Sequence, residues 1–176
     1  MLKTRHLYIC ALLAGLASCS TQKNGALPRD VIVTAEWLKT RLDRDVSGVV
    51  VIEASWAALP DAQEYRAGHV PGAIHLNTDD LEDGSPQWRL RPLAELRQVM
   101  GAHGVGPDAI VVVYGKQTIA AARVWWILAY AGVRDVRILN GGVEAWRRAG
   151  YPVEAGVRQP VPVDYSARAR EEMLAS

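Results

Sequence analysis

The sequence predicts an α/β fold in three layers, a central, mostly parallel sheet with helices on both faces. Three observations lead to it. Residues 110–114 (IVVVY) form an apolar run that meets a short loop, Gly115-Lys116-Gln117-Thr118, which opens directly into a helical pattern over 119–131. A second apolar run, 136–139, follows Gly132 and ends in Gly141-Gly142, so the unit reads strand, helix, strand, the crossover that parallel strands need. Around it, helix-like and strand-like segments alternate five times, with no internal repeat and no G-x-G-x-x-G fingerprint. Function is expected at the carboxyl end of the 110–114 strand. There the loop meets a helix N-terminus whose N–H groups and dipole favour an anion.

At 176 residues, 49% of them hydrophobic, the chain suits one domain with a sizeable core. The formal charge is +1, and without the first eighteen residues, which hold Lys3 and Arg5 and no acid, it is −1. That balance gives no reason to expect a nucleic-acid partner, and Arg147-Arg148 and Arg168/Arg170 read as solvated helix faces.

Lys3 and Arg5 precede an apolar stretch over 7–17, well short of the roughly 20 residues that span a bilayer, so 1–18 reads as a secretory signal. Leu16-Ala17-Ser18-Cys19 resembles the bacterial lipoprotein box, which implies cleavage before Cys19, a lipid on its sulfur and an acyl group on its amine. Several acyl chains anchor stably where one is marginal. Ser20, in place of an Asp, resembles an outer-membrane sorting signal. The expected location is therefore the cell envelope, lipid-anchored and facing the periplasm, with 19–30 as a short polar tether. An ordinary signal peptide that happens to contain Cys10 and Cys19 is the alternative.

The folded part begins near Val31. Thr34 is placed to cap a helix over 35–42, and 49–53, a β-branched run after Ser47-Gly48, reads as a buried strand. A short helix over 61–67 is expected to end at Gly68, with a strand over 73–76 after the Pro71-Gly72 turn. His69 reads as a ring that ties this turn to nearby backbone. His75 and His103 stand alone, without carboxylate or cysteine neighbours at metal-ligand spacing, and the acids Asp79, Asp80, Glu82 and Asp83 lack the EF-hand alternation. Residues 77–91 therefore read as solvated loop, and neither a metal nor another cofactor is expected. Pro92 opens a helix through His103 with Leu93, Leu96 and Met100 inward. The helix after the central loop is apolar on nearly every side except Arg123, which makes Trp125-Trp126 core residues. A last helix, 142–149, stops at Gly150 ahead of Pro152.

One motif brings in a family. Glu64-Tyr65-Arg66-Ala67-Gly68-His69-Val70-Pro71-Gly72-Ala73-Ile74, together with residues 110–142, resembles the rhodanese (thiosulfate or mercaptopyruvate sulfurtransferase) domain, here 31–156. Ala120-Ala121-Ala122-Arg123-Val124-Trp125-Trp126 is similar to the first domain of tandem members. The Asp and Arg that often follow the second strand of the family are replaced by Glu53 and Ser55. The resemblance implies a cysteine at the first position of the loop, where N–H groups and the helix dipole stabilise a thiolate that takes up sulfane sulfur. That position is Gly115, and the chain's two cysteines are Cys10 and Cys19. No catalytic residue is therefore expected.

What remains is an anion-binding loop of Gly115, Lys116, Gln117, Thr118, Ile119 and Ala120, whose N–H groups suit a small oxyanion such as thiosulfate or sulfate. Residues 157–163 read as an extended linker. Residues 164–175 resemble the first helix of a second rhodanese domain, which is expected to fray for want of a packing surface. The expected function is a noncatalytic half that supports or docks a catalytic rhodanese domain at the membrane. The alternatives are a thiosulfate sulfurtransferase active only with a partner's cysteine, and an oxyanion- or protein-binding module.

Overall fold

The apolar runs become β1 (Ile32–Val33), β2 (Val49–Ser55), β3 (Ile74–Asn77), β4 (Ile110–Tyr114) and β5 (Asp135–Leu139). The helices are α1 (Ala35–Arg44), α2 (Gln63–Ala67), α3 (Leu93–Ala102), α4 (Thr118–Tyr130) and α5 (Gly142–Arg148). These come from a computed structural model that describes residues 30–45, 48–84 and 86–174; Cys19, and with it the expected signal and nearly all of the tether, lies outside them. Among the described residues no helix is long and apolar enough to cross a membrane. The strands pair in the order β1-β5-β4-β2-β3, and every pairing is parallel. At two residues, β1 is too short to show any period in the sequence.

Alternation along each strand sorts the core into two layers. Val51, Val112 and Tyr114 turn to the face covered by Ala35 and Leu38 of α1 and Trp146 of α5. Ile52, Ala54, Val111 and Val113 turn to the other face, where Leu96 and Met100 of α3 and Val124 and Ile127 of α4 lie. This is the expected three-layer arrangement. Thr34 caps α1 as predicted, its hydroxyl oxygen accepting the Trp37 N–H at 3.2 Å.

Three expectations are corrected. The helix expected over 61–67 is broken into a 3-10 turn, Leu59–Asp61, and α2, because Ala62 at φ −75°, ψ 65° has left the helical region. The loop before α3 is not simply solvated. Leu81 is fully buried and Glu82 is 2% exposed, and Arg123 Nε donates to Glu82 Oε1 at 2.6 Å. Arg123 also sits 5.1 Å from the Trp126 ring, which accounts for the one charged side chain on an otherwise apolar helix.

The third correction is the C-terminal segment, which forms no fraying helix. Residues 157–170 run extended as a strap over α3 and α4 and end in a 3-10 turn, Glu171–Met173. Val163 N–H donates to Gly101 O (2.9 Å), Tyr165 hydroxyl to Ala131 O (2.9 Å), Arg97 to Ala167 O (2.8 Å) and Arg170 N–H to Tyr130 O (2.7 Å). Arg170 is no solvated helix residue: the residue is 4% exposed, and its guanidinium donates to the carbonyls of Ala129 and Val133. Desolvation raises the Tyr165 phenol to about 12, as expected of a hydroxyl sealed under such a contact.

Glycines make room for the strap. A Cβ on Gly101 would lie 2.6 Å from Val163 O, one on Gly104 2.8 Å from Val161 O, and one on Gly132 would collide with Arg168 O. Gly132 also has φ +107°, a conformation side chains resist. Gly132→Ala should therefore cost about 2–4 kcal/mol from backbone strain and overpacking. Urea unfolding measures it, and a loss below about 0.5 kcal/mol, the range of ordinary surface substitutions, would show that the strap is not seated this way.

Candidate functional site

Parallel register brings three polar side chains into one row at the carboxyl ends of the central strands. Glu53 of β2 is level with His75 of β3 on one side and Tyr114 of β4 on the other. Beside them opens a cleft of about 690 Å³. Its lining includes Glu53, Tyr65 and Tyr114, then Gly115, Lys116 and Thr118 after β4, and Asn140, Glu144 and Arg147 from the end of β5 and α5. A second, smaller cavity of about 390 Å³ adjoins it and shares Glu53, Glu64 and Tyr65 as lining.

Six loop residues were expected to act together on an anion, and the structure distributes them. Gly115, Lys116 and Thr118 reach the cleft, Gln117 lines the second cavity, Ile119 is 74% exposed and Ala120 is fully buried. The Ala120 N–H is taken by Gln117 O at 3.0 Å. Lys116 is engaged as well: its ammonium pairs with Glu64 on α2, and the hydrogen bond to Glu64 holds its pKa above the ordinary lysine value. Arg147 donates to Glu144 (2.5 Å) and to Gly68 O (3.0 Å). Each cation at the rim thus has its own carboxylate.

Gly115 is a position of close approach. A Cβ there would collide with the carbonyl oxygen of Ala54, the residue after Glu53 on β2. The loop lies so near the β2 backbone that a side chain at this position would require the loop or the end of β2 to shift.

The buried Glu53–His75 pair escaped sequence reasoning, which treated His75 as isolated. His75 Nδ1 is 2.7 Å from Glu53 Oε2 and Nε2 is 2.8 Å from Ala57 O. A carbonyl and a carboxylate both accept, so the ring needs a proton on each nitrogen and is held as imidazolium. Burial opposes that charge, but the hydrogen bonds to Glu53 and Ala57 outweigh it and raise the pKa above 6.5. The two residues are 22 apart, and only the strand register brings them level.

His69 does tie the turn: Nδ1 donates to Tyr65 O at 2.8 Å while its ring stacks on Tyr65 at 4.1 Å. Its Nε2 is buried without a partner. His103 Nδ1 donates to Val99 O at 2.7 Å. Among the described residues no group of three or more His, Cys, Asp or Glu is arranged to hold a metal ion.

Two stability measurements follow from this geometry. Gly115→Ala should lose about 1–3 kcal/mol, since the new methyl displaces either the loop or Ala54, and urea unfolding reads it directly. His75 has a folded-state pKa above its unfolded value, so its contribution is complete below about 6.5 and is lost as the pH rises through the raised value. Unfolding free energy should fall over that window and His75→Gln should flatten the fall; an unchanged slope in the variant would assign the dependence elsewhere.

A family model described as a rhodanese-like domain matches residues 34–149. The chain is 40% identical over 114 residues to the thiosulfate sulfurtransferase YnjE of Escherichia coli (strain K12), covering 65% of this chain and 25% of that protein. It is 33% identical over 153 residues to the thiosulfate sulfurtransferase of Gallus gallus, covering 81% of this chain and 53% of the relative. Among solved structures, SseA from Escherichia coli, a 3-mercaptopyruvate sulfotransferase, superposes with a TM-score of 0.69 at 30% identity, over 81% of this chain and 58% of the other. The chain thus spans about half the length, or less, of these curated relatives. By fold, motif and sequence alike, the chain belongs to the rhodanese-like domain family.

Proposed function

We propose that this domain is a noncatalytic half of the sulfurtransferase family, which supports or docks a catalytic rhodanese domain at the membrane. The observation that carries the reading is Gly115. Sulfur transfer by covalent catalysis needs a nucleophile whose thiolate attacks the donor. Glycine supplies none, the sequence has cysteine only at positions 10 and 19, and Ala54 O occupies the space a Cβ at 115 would enter. A docking role is supported by exposed apolar side chains next to the cleft residues. Ile32, which lines the cleft, is 64% exposed, and Ile119, which follows Thr118 of the lining in sequence, is 74% exposed. Exposed apolar side chains beside a cleft suit a protein contact. A lipid on Cys19 would keep that contact at the envelope, facing the periplasm.

Two other readings are weaker. A sulfurtransferase completed by a partner's cysteine has the cleft available to it but draws on no residue of this chain beyond its walls. Thiosulfate or sulfate binding on the loop is opposed by the pairing of Lys116 with Glu64 and of Arg147 with Glu144, which leaves neither cation free for an oxyanion.

The purified chain should release no thiocyanate from thiosulfate and cyanide, and its intact mass should gain no sulfur adduct. Gly115→Cys should not restore turnover, because the added side chain meets Ala54 before it can meet a donor. Turnover by the unmodified chain alone would overturn the assignment.

A further inference from the structure

The second cavity, which shares Glu53, Glu64 and Tyr65 with the first, has a chemistry of its own. It is lined by Trp56, Asp61, Gln63 and Gln117 with Glu53 at the β2 end, and no lysine, arginine or histidine lines it. Glu53 is 6% exposed. Its Oε2 is bonded to His75, while Oε1 has no hydrogen-bond partner among the described residues. The fully enclosed side-chain polar atoms that lack partners there are His69 Nε2 and Thr78 Oγ1. Oε1 is therefore not fully enclosed, and Glu53 lines both cavities.

Trp56 is 37% exposed. Other indoles in this protein carry the protein's own cations: Arg137 lies 4.6 Å and Arg41 5.1 Å from Trp37, and Arg123 lies 5.1 Å from Trp126. Among the described residues no such cation covers Trp56. The charges of Glu64 and Glu53 are met by Lys116 and His75, and among the described residues no cation lies within ion-pair distance of Asp61. The wall is also fixed before any ligand arrives. His75 Nε2 holds Ala57 O at 2.8 Å, and the Ala57 N–H donates to Ser55 Oγ at 3.2 Å.

We propose that this cavity binds a guanidinium or primary ammonium group, with Trp56 supplying an aromatic surface and Glu53 Oε1, Asp61 and the side-chain carbonyls of Gln63 and Gln117 accepting its N–H bonds. An aromatic ring attracts a cation through its quadrupole. Glu53 Oε1 and Asp61, the carboxylate oxygens there without a cationic partner among the described residues, select a ligand that carries hydrogens, and guanidinium suits carboxylates best. A quaternary ammonium satisfies the ring but leaves Glu53 Oε1 without a donor. The site does not depend on position 115 or on the missing thiol.

The test is nuclear magnetic resonance on the full chain, following the Trp56 indole N–H and the side-chain amides of Gln63 and Gln117. Methylguanidinium should shift these signals saturably, and tetramethylammonium at equal ionic strength should bind at least about fivefold more weakly. Trp56→Leu and Asp61→Asn, both at exposed positions, should each weaken binding by a similar factor, as should Glu53→Gln. A capped Gly-Arg-Gly peptide that binds about tenfold tighter than methylguanidinium identifies the natural source as an arginine of a protein; equal affinity identifies a free amine or guanidine. Shifts that do not saturate, that tetramethylammonium reproduces, or that survive Trp56→Leu unchanged would overturn the proposal.

Discussion

The approach of the loop after β4 to the end of β2 is the contact on which the site depends. The Ala54 carbonyl fills the space that a side chain at 115 would enter. Because the loop is drawn in this far, α4 starts at Thr118, and Ala120 and Ala121 can hydrogen-bond to Gln117 O within the first turn. A larger residue would push the loop outward and take the start of α4 with it. The shape of the cleft follows from the same contact: the space beside Gly115 that a side chain would enter is taken by the Ala54 carbonyl.

Charge follows the same local economy. Lys116 faces Glu64, Arg147 faces Glu144, and His75 faces Glu53, so the cleft carries opposite charges in adjoining pairs rather than a field of one sign. The first two pairs are exposed and screened by salt, and they orient side chains more than they stabilise the fold. The third is different, since both members are largely buried and each pays a desolvation cost. That cost is offset by geometry: the two strands are parallel and adjacent, the residues are level, and Ala57 O satisfies the second ring nitrogen. Removing either partner would leave the other buried and uncompensated.

Much of this architecture was legible in the sequence. The apolar runs, the Thr34 cap and the glycine stops located most of the elements, and the crossover around 110–139 required parallel strands. What escaped depends on contacts distant in the chain. β1 is two residues long and exists only because β5 pairs with it. The strap was misread because residues 164–175 have a composition a helix tolerates, whereas the conformation of 163–170 is set by carbonyls of Gly101, Tyr130 and Ala131 and by the space over three glycines. Arg170 and Glu82 look like surface charges in sequence and are buried, each against acceptors or donors that only the tertiary structure supplies. In the site, Gly115 was legible as an absence, but the reason it cannot simply be replaced was not, since Ala54 is sixty-one positions earlier in the numbering.

The segment that carries the family resemblance, Glu64 to Ile74, has a structural task at nearly every polar position. Glu64 pairs with Lys116, and the Tyr65 hydroxyl donates to Ala73 O at 2.8 Å while accepting the Arg158 N–H at 3.1 Å. Gly68 leaves room for Arg147 and Val153; a Cβ there would lie 2.7 Å from the guanidinium. His69 exchanges two backbone hydrogen bonds of 2.9 Å with Glu154, whose carboxylate accepts the Gly72 N–H at 2.7 Å. These bonds fasten the turn before β3 to the segment that leads into the strap. The motif has packing work to do that is independent of what the neighbouring loop carries. Membership of the family and the chemistry of the loop rest on different residues, because a fold does not by itself fix a function.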